Sequence, residues 1–229
     1  MATPPDRLAI IVPVLDEAGT LASLKNHLHH WQSRGVEVVV VDGGSSDDGP
    51  EQLRHAGFQV VPAPRGRARQ MNAGAQATNA SRLLFLHADT RLPAGADDQV
   101  RAALRPSTGD WGRFDVRIEG HSRMLPVVAW FMNHRSRLTG IATGDQGLFM
   151  TRTAFEQVGG FPDQPLMEDV EICKRLKQIS APVCLKHRVT TSGRRWDNRG
   201  SWRTIWLMWQ LRWAYWRGTP ADQLAERYS

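Results

Sequence analysis

Several common sequence features are scarce in this chain of 229 residues, and their scarcity narrows its class. It has only two cysteines, Cys173 and Cys184, which show no metal-type spacing. Two isolated cysteines do not indicate a disulfide framework, so we expect a reducing compartment. The N-terminal apolar run, residues 8–15, is too short to cross a bilayer and lacks a signal-peptide cleavage pattern. These features predict a cytoplasmic protein.

Two common nucleotide-binding signatures are missing as well. The glycines of the segment VVVVDGGSSDDG, residues 38–49, match neither GxGxxG nor GxxxxGKS/T, which excludes the standard dinucleotide and P-loop patterns. The chain contains no internal repeat, low-complexity tract or linker, so we predict one domain. Its formal net charge of +6 favours an anionic partner, and nucleic acid, a phosphorylated substrate and an acidic membrane surface all fit.

Strands alternating with helices are what the first 90 residues do contain. Apolar segments at 8–15, 36–42, 58–63 and 82–88 predict four strands, and the stretches between them predict three helices. The β-branched run at 36–42 favours burial on both faces, as in a parallel sheet. This alternation predicts an α/β fold with a mostly parallel central sheet flanked by helices.

Carboxylates follow three of the predicted strands. Asp16 and Glu17 come after the first strand, Asp42 ends the second, and Asp89 follows the fourth. Ligands of open α/β sheets bind beyond the carboxyl ends of the strands, so we expect these groups to face one crevice. Each carboxylate taken alone is also explained as a helix cap. The pair His87 and Asp89 adds two metal-capable side chains, compatible with Mg²⁺ or Mn²⁺.

Five segments, in this order and at these spacings, resemble the family 2 glycosyltransferases of GT-A fold: IIVPVLDEAGTL, VVVVDGGSSDDG, GRARQMNAGA, FLHADTRLP and PLMEDVEICKRL. The likeness covers nearly the whole chain and is closest to the bacterial subgroup of selenodomain-associated transferase 2. It implies a single GT-A domain with a Rossmann-like, mixed sheet over residues 1–229. Residues 1–90 would bind the nucleotide, 91–198 would form the acceptor and catalytic half, and 199–229 would form a C-terminal helical extension.

The resemblance also implies a reaction. The protein would be an inverting glycosyltransferase of hexosyltransferase type, moving a sugar from a nucleoside diphosphate sugar to an unidentified hydroxyl acceptor, with UDP as the favoured nucleotide. Asp89 would hold a divalent cation, Mn²⁺ or Mg²⁺. His87 stands where the family has the first aspartate of its Asp-x-Asp motif, which leaves the metal preference open. The implied nucleotide-binding residues are Pro13, Glu17, Asp42, Arg67, Asn72 and His87.

Catalysis is implied for the pair Glu168 and Asp169, with Asp169 as the general base that removes a proton from the acceptor hydroxyl. Without the family, an acidic pair here is explained as a favourable first helical turn. Two further segments supply residues for the acceptor or the diphosphate: Asp145 and Gln146, and Arg194, Arg195 and Trp196. A polar turn and a solvated basic loop are the respective alternatives.

Five of the nine tryptophans lie near the C-terminus at spacings of four and three residues, which predicts one stripe of an amphipathic helix. One interpretation packs the stripe against the domain or a second subunit, and we favour it because such stripes usually bury against protein. The other places residues 202–217 as a peripheral contact on the inner face of the cell membrane, next to a lipid-linked acceptor. The five residues are Trp202, Trp206, Trp209, Trp213 and Trp216.

Other function classes fit the chain less well. A basic nucleic-acid-binding module would require clustered arginines and a recognised fold signature, and neither is present, so no nucleic acid partner is expected. A non-catalytic nucleotide-sugar-binding protein remains open because His87 departs from the family motif. A sugar-1-phosphate nucleotidyltransferase would need a glycine-rich loop containing Arg and Pro, and none follows residues 9–15.

Overall fold

A computed structural model of the protein describes residues 7–105 and 109–228, apart from the side chains at 195, 198, 199, 201 and 228. Its strands are β1 Leu8–Val14, β2 Glu37–Asp42, β3 Gln59–Pro62, β4 Arg82–Phe85, β5 Thr90–Arg91, β6 Trp111–Glu119, β7 Leu148–Thr151 and β8 Val183–Ser192. Its α-helices are α1 Leu21–Ser33, α2 Gly49–His55, α3 Arg67–Gln76, α4 Ala96–Ala103, α5 Leu125–Thr139, α6 Arg152–Gln157, α7 Glu168–Leu176, α8 Arg194–Arg199, α9 Ser201–Trp216 and α10 Ala221–Tyr228.

The strands form one mixed sheet of eight, in the order β3-β2-β1-β4-β7-β6-β8-β5. Strands β1, β2, β3 and β4 are parallel, while β7 is antiparallel to both β4 and β6. Strand β8 is parallel to β6. Two reversals bring β6 and β8 back to the direction of β1, so the carboxyl ends of β1 to β4, β6 and β8 lie at one edge of the sheet and that of β7 lies at the opposite edge. The predicted α/β fold with a mostly parallel sheet is confirmed.

Both faces of the first four strands are covered, as the β-branched run of β2 predicts. Val38 and Val40 join the core layer that contains α1, whereas Val39 and Val41 join the layer that contains α3. Helix α3 lies close to the sheet because Gly74 has no side chain. A Cβ atom there would lie 2.4 Å from a methyl group of Ile11, so a larger residue would push α3 away.

The second half of the sheet is held differently. Strand β6 pairs with β7 only over residues 111–113, so the rest of β6 has no strand neighbour on that side. Helix α5 takes its place: Asn133 donates to the Val116 carbonyl at 3.0 Å and accepts from the Val116 N–H at 2.8 Å. This exchange satisfies the main chain that β7 leaves unpaired, and it brings α5 to the carboxyl edge of the sheet.

The C-terminal helix α9 is present, but its tryptophans do not pack against the domain. Leu211 is buried with Met167 and Val170 of the α7 region, whereas the five tryptophans are between 60% and 78% exposed. The prediction that the stripe buries against its own domain is therefore wrong. A second subunit and a membrane surface remain as the two interpretations of the tryptophan stripe. None of the helices in the described ranges is both long and apolar enough to span a membrane.

Candidate active site

Two interlocked loops form one side of the carboxyl edge. Gln70 of α3 is buried and donates to the carbonyls of Val14 and Val41 at 2.8 Å, which ties the ends of β1 and β2 together. The Asp42 Oδ1 atom accepts from the N–H and the hydroxyl of Ser45, at 2.9 and 2.7 Å. Among the described residues, no hydrogen bond uses Asp42 Oδ2, so this oxygen is available to a ligand.

Asp16 locks the two loops together from the other side. Its Oδ1 atom accepts from the N–H and the hydroxyl of Ser46 at 2.7 and 2.9 Å, and its own N–H donates to Ser45. These donors from Ser46 hold the pKa of the Asp16 carboxyl below its usual value of 3.8. The residue adopts a left-handed φ of 54°, which aspartate tolerates better than most residues. Asp16 thus holds the loop after β1 against the loop after β2 through hydrogen bonds to its carboxylate and from its N–H.

The remaining predicted nucleotide-binding residues differ in accessibility. Pro13 is buried inside β1, in register with Val41. The Glu17 carboxylate accepts from the Thr20 hydroxyl at 2.8 Å and lies 3.8 Å from Arg194.

Helix α3 carries two more of the predicted nucleotide-binding residues, Arg67 and Asn72. Arg67 begins the helix and is exposed, and its positive charge lowers the pKa values of Glu168 and Asp169, which places it beside the acidic pair. Asn72 instead faces Phe161: it donates to the Phe161 carbonyl at 2.8 Å and accepts from the Phe161 N–H at 2.9 Å. The amide of Asn72 is thus already used between protein segments.

A second cluster lies deeper at the same edge and contains the acidic pair. The Gly144 N–H donates to Asp169 Oδ2 at 2.9 Å, and His87 Nδ1 lies 3.2 Å from Asp145 Oδ1. A Cβ atom on Gly144 would lie 2.3 Å from His87 Nε2, so glycine is needed for this close approach. A small cavity opens between these groups; Met71, Phe85, His87, Gly144, Leu148, Phe161, Glu168 and Asp169 line it.

Burial is the main cause that raises the pKa values of the acidic pair. Glu168 is only 5% exposed, and burial together with the neighbouring Asp169 raises its pKa to about 7. Burial also raises the pKa of Asp169, against the opposing hydrogen bonds from the N–H groups of Gly144 and Val170. The preceding residue, Met167, has a left-handed φ of 66°, a strained conformation that turns the chain sharply into α7. A carboxylate with a raised pKa binds a proton more readily than an ordinary one, as a general base must.

Gln146 does not face the crevice. Its side chain is 0% exposed, and its amide donates to the Ser136 hydroxyl at 3.1 Å and accepts from the Thr143 N–H at 3.3 Å. The expected contact of Gln146 with a sugar is therefore not supported by this structure. Its position suggests instead that it anchors the turn that carries Gly144 and Asp145. Asp145 itself is 43% exposed at the side chain and faces His87.

Asp89 lines a separate cavity of about 370 Å³ at the same edge. Its carboxylate has one long contact, 3.4 Å from the Thr90 hydroxyl. In the described part of the chain, no three His, Cys, Asp or Glu side chains form a metal cluster. A hard cation often binds one carboxylate together with phosphate oxygens and water, so an open Asp89 carboxylate fits a cation completed by a bound diphosphate. Glu119 and Arg194 line the same cavity.

The basic segment after β8 is only partly at this cavity. Arg194 is more than half exposed and faces it, near Glu17. Trp196 is half-buried and packs against the hydrophobic core, so its ring has a structural contact. The side chain of Arg195 lies outside the described residues, and its predicted contact stays a prediction.

Arg135 of α5 is a neighbour of the site that the sequence does not reveal. Burial lowers its pKa, while the charge of Asp169 acts in the opposite direction, so the two groups interact. Its Nη2 atom is buried without a hydrogen-bond partner in the described structure. Arg137, two residues later, pairs instead with Asp115 at 2.6 Å. No motif distinguishes Arg135 from Arg137, because only the packing of α5 separates them.

The chain matches a known protein family. Residues 9–156 match the family model described as Glycosyl transferase family 2. The chain is also similar to the beta-monoglucosyldiacylglycerol synthase of Trichormus variabilis, at 22% identity over 229 residues. That match covers 85% of this chain but 48% of the relative, so the chain spans about half of its length.

Solved structures share the fold. The mannosyltransferase PcManGT from Pyrobaculum calidifontis, in complex with GDP-Man and Mn²⁺, has a TM-score of 0.64 at 19% identity, covering 92% of this chain and 62% of the other. The glucosyl-3-phosphoglycerate synthase of Mycobacterium tuberculosis, in complex with Mn²⁺, UDP and glucosyl-3-phosphoglycerate, has a TM-score of 0.61 at 14% identity, covering 82% and 71%. At these identities the likeness extends to the fold alone.

Proposed function

This chain belongs to glycosyl transferase family 2, and on that premise we propose that it transfers a sugar with inversion from a nucleoside diphosphate sugar, with UDP as the favoured nucleotide, to a hydroxyl acceptor. Asp169 would act as the base, and Asp89 would hold a divalent cation. The observation that carries the proposal is the partly buried cluster of His87, Gly144, Asp145 and Asp169 at the ligand-binding edge of the sheet. The narrower likeness to selenodomain-associated transferase 2 is part of the proposal.

The cluster of His87, Gly144, Asp145 and Asp169 supports a direct displacement of the diphosphate by the acceptor hydroxyl. The acceptor oxygen forms a bond to the anomeric carbon as the bond to the diphosphate oxygen breaks, and the electron pair leaves with the diphosphate. Asp169 takes the proton of the acceptor hydroxyl, with its carboxylate held by the Gly144 N–H. General-base help of this kind contributes about 10²–10⁴ in rate. His87 and Arg67 act against the burial that raises the pKa of Asp169, and this favours the carboxylate form that a base requires.

The outer loops support binding of the donor. Asp42 Oδ2 and the Glu17 carboxylate are suited to accept hydrogen bonds from a base or ribose, while Arg67 and Arg194 supply positive charge for the diphosphate. Asp89 would hold Mn²⁺ or Mg²⁺, which would supply charge opposite the departing diphosphate. Mn²⁺ accompanies GDP-Man in PcManGT and UDP in the mycobacterial synthase, and this motivates testing both nucleotides.

Isothermal titration calorimetry of UDP and GDP, each with and without Mn²⁺, tests the donor site. We expect UDP to bind only with Mn²⁺, and we expect Asp89→Ala to lose this binding. Asp98→Ala removes an exposed carboxylate of α4 and serves as the matched control, with wild-type binding expected. If only GDP binds, and only with Mn²⁺, the donor nucleotide is GDP and not UDP. Equal binding by Asp89→Ala and wild type would contradict the metal role of Asp89.

We also propose that α9 docks this enzyme on an anionic membrane surface. At 3.6 residues per turn, the five exposed tryptophans fall within an arc of about 80°. Arg203 and Arg217 lie on one flank of this arc and Arg212 on the other, and the helix contains no Asp or Glu. Tryptophan rings favour the headgroup layer, and arginines beside them meet anionic lipid. A lipid-linked acceptor would then be presented at the same surface.

Vesicle co-sedimentation tests this docking. Wild type should sediment with vesicles that contain phosphatidylglycerol and far less with pure phosphatidylcholine, because both Trp burial and Arg charge contribute. Trp206→Ala/Trp213→Ala should lose most of the binding. Leu138→Ala, which removes an exposed apolar side chain of α5, should retain it. Failure of wild type to bind, together with a dimer in sedimentation velocity that the double variant breaks, would assign the stripe to a second subunit instead.

A further inference from the structure

One cavity lies apart from the proposed donor site. It is a groove of about 850 Å³ between the second half of β6, the segment 120–126, α5 and one residue of β8. The groove lies beside the part of β6 that β7 leaves unpaired, where Asn133 fastens α5 to the strand. Its volume falls in the range of small-molecule sites in proteins. The residues identified above as donor or base residues do not line it.

The acidic residues of this groove already have cationic partners. Asp115 is buried and bonds to Arg113 and to Arg137, the latter at 2.6 Å. Glu119 pairs with Arg91 at 2.8 Å. Neither carboxylate therefore needs a cation from a ligand, and neither leaves the groove negative.

Three exposed arginines remain to give the groove its charge. Arg117 has only a 3.9 Å contact with Glu119, and Arg123 and Arg188 form no ion pair with any described carboxylate. They come from β6, from the loop before α5 and from β8, so the fold gathers them from three separate segments. Guanidinium groups that converge in this way suit a tetrahedral anion with several acceptor oxygens.

An aromatic wall lies on the α5 side of the groove. Trp130 is 53% exposed, and its ring stacks on His134 at a centroid distance of 3.9 Å. The His134 Nδ1 atom donates to the Trp130 carbonyl at 2.8 Å, which fixes this arrangement. The ligand would therefore meet cationic groups on one side and an aromatic surface on the other, as an organic anion requires.

The groove lies beside the cavity of the proposed metal site. Glu119 lines both the groove and the cavity that contains Asp89, so the two spaces are adjacent. We propose that the groove binds a phosphate ester group of the acceptor. This assignment of the ligand as the acceptor rests on the proposed transferase function, whereas the binding of a phosphate ester does not. A lipid headgroup and a soluble organic phosphate share this chemistry.

Calorimetry with two phosphate esters tests the inference. Glycerol 3-phosphate represents the soluble source, and monomeric dioctanoyl phosphatidic acid represents the lipid source. Each is titrated into wild type saturated with UDP and Mn²⁺, so that the donor site is filled; without UDP binding, the same titration is run on the free protein. We expect at least one ester to bind and Arg123→Gln/Arg188→Gln to weaken that binding at least tenfold.

Arg54→Gln/Lys186→Gln is the matched control, because it removes two positive charges outside the groove. Its affinity should equal that of wild type, and both double variants should keep the wild-type unfolding midpoint. At least tenfold tighter binding of the lipid would identify a lipid headgroup, and equal affinity would identify a soluble organic phosphate. No binding of either ester, or equal loss in the control, overturns the inference. UDP binding measured on the same samples separates this failure from a failure of the donor site.

Discussion

Two groups of carboxylates at the same edge of the sheet have opposite environments. The outer group consists of Asp16, in the loop after β1, and Asp42, the last residue of β2, and serine N–H and hydroxyl groups donate to it. The inner group, Glu168 and Asp169, lies in the first turn of α7, where burial dominates. The pKa of Asp16 is lowered, and the pKa values of the inner pair are raised.

The difference shows that hydrogen-bond donors and burial, and not residue type, set the direction in which the pKa values of Asp16, Glu168 and Asp169 shift. A carboxylate with several donors stays ionised and can hold a loop or a ligand. A carboxylate whose pKa is raised by burial holds a proton more strongly, which is a property that a general base requires. Three substitutions test this contrast, and they are given from the largest expected effect to the smallest.

Asp169→Asn should produce the largest change. Asparagine retains an oxygen for the Gly144 N–H but cannot accept the acceptor proton, so turnover should fall about 10²–10⁴-fold. Affinity for UDP with Mn²⁺ should be unchanged. The measurement is UDP release from a panel of UDP-sugars, with water standing in for the acceptor hydroxyl. Glu171→Gln, which removes the carboxylate two residues further along α7, is the control and should retain turnover. Turnover within tenfold of wild type in Asp169→Asn would place the base elsewhere.

Glu168→Gln should change the pH dependence of stability. The folded protein holds the Glu168 proton up to a pKa of about 7, whereas the unfolded chain releases it near the ordinary value of 4.5. The stabilising contribution is therefore complete below about pH 4.5 and is lost as the pH rises through about 7. The free energy of unfolding, measured with urea across this window, should fall by a few kcal/mol more in wild type than in Glu168→Gln.

Glu156→Gln, an exposed carboxylate of α6, is the control for this measurement and should follow wild type at every pH. Parallel stability profiles for wild type and Glu168→Gln would mean that burial does not raise the pKa of Glu168. The contrast between the inner and outer carboxylates would then be lost.

Asp16→Ala should have the smallest effect. It removes both bonds to Ser46 and leaves alanine with a left-handed φ of 54°, so Tm should decrease by roughly 2–4 °C. Asp16→Asn keeps an acceptor oxygen and tolerates this conformation, so its Tm should remain near that of wild type. Differential scanning fluorimetry of the two variants checks this. An equal decrease in both would indicate that the negative charge, and not the loop geometry, is what matters.

The sequence supports the parallel half of the sheet and the outer loops better than the rest of the site. Hydrophobic runs predict β1 to β4, and the rule that ligands bind at the carboxyl ends of strands brings Asp16 and Asp42 to one rim. The burial of Gln146 and the Asn72–Phe161 exchange could not be anticipated, because each depends on contacts between segments far apart in the chain. The same reason hides Arg135.

The C-terminal stripe shows a different limit. The spacing of its tryptophans correctly predicts a helix with one aromatic face, but spacing alone does not say what covers that face. The favoured interpretation joined packing on the domain with packing on a second subunit, and its first alternative fails because α9 uses the opposite face, through Leu211, to contact the α7 region.

Sequence alone therefore determined the local order of this protein: which segments are strands, which are helices, and which motifs place it near family 2. Periodicity and motif spacing carry that information because they act between near neighbours in the chain. Tertiary structure alone decided which carboxylates have raised or lowered pKa values, which predicted residues face the crevice, and which three arginines line the groove beside β6. These properties depend on burial and on through-space charge, and both arise only when distant segments pack together.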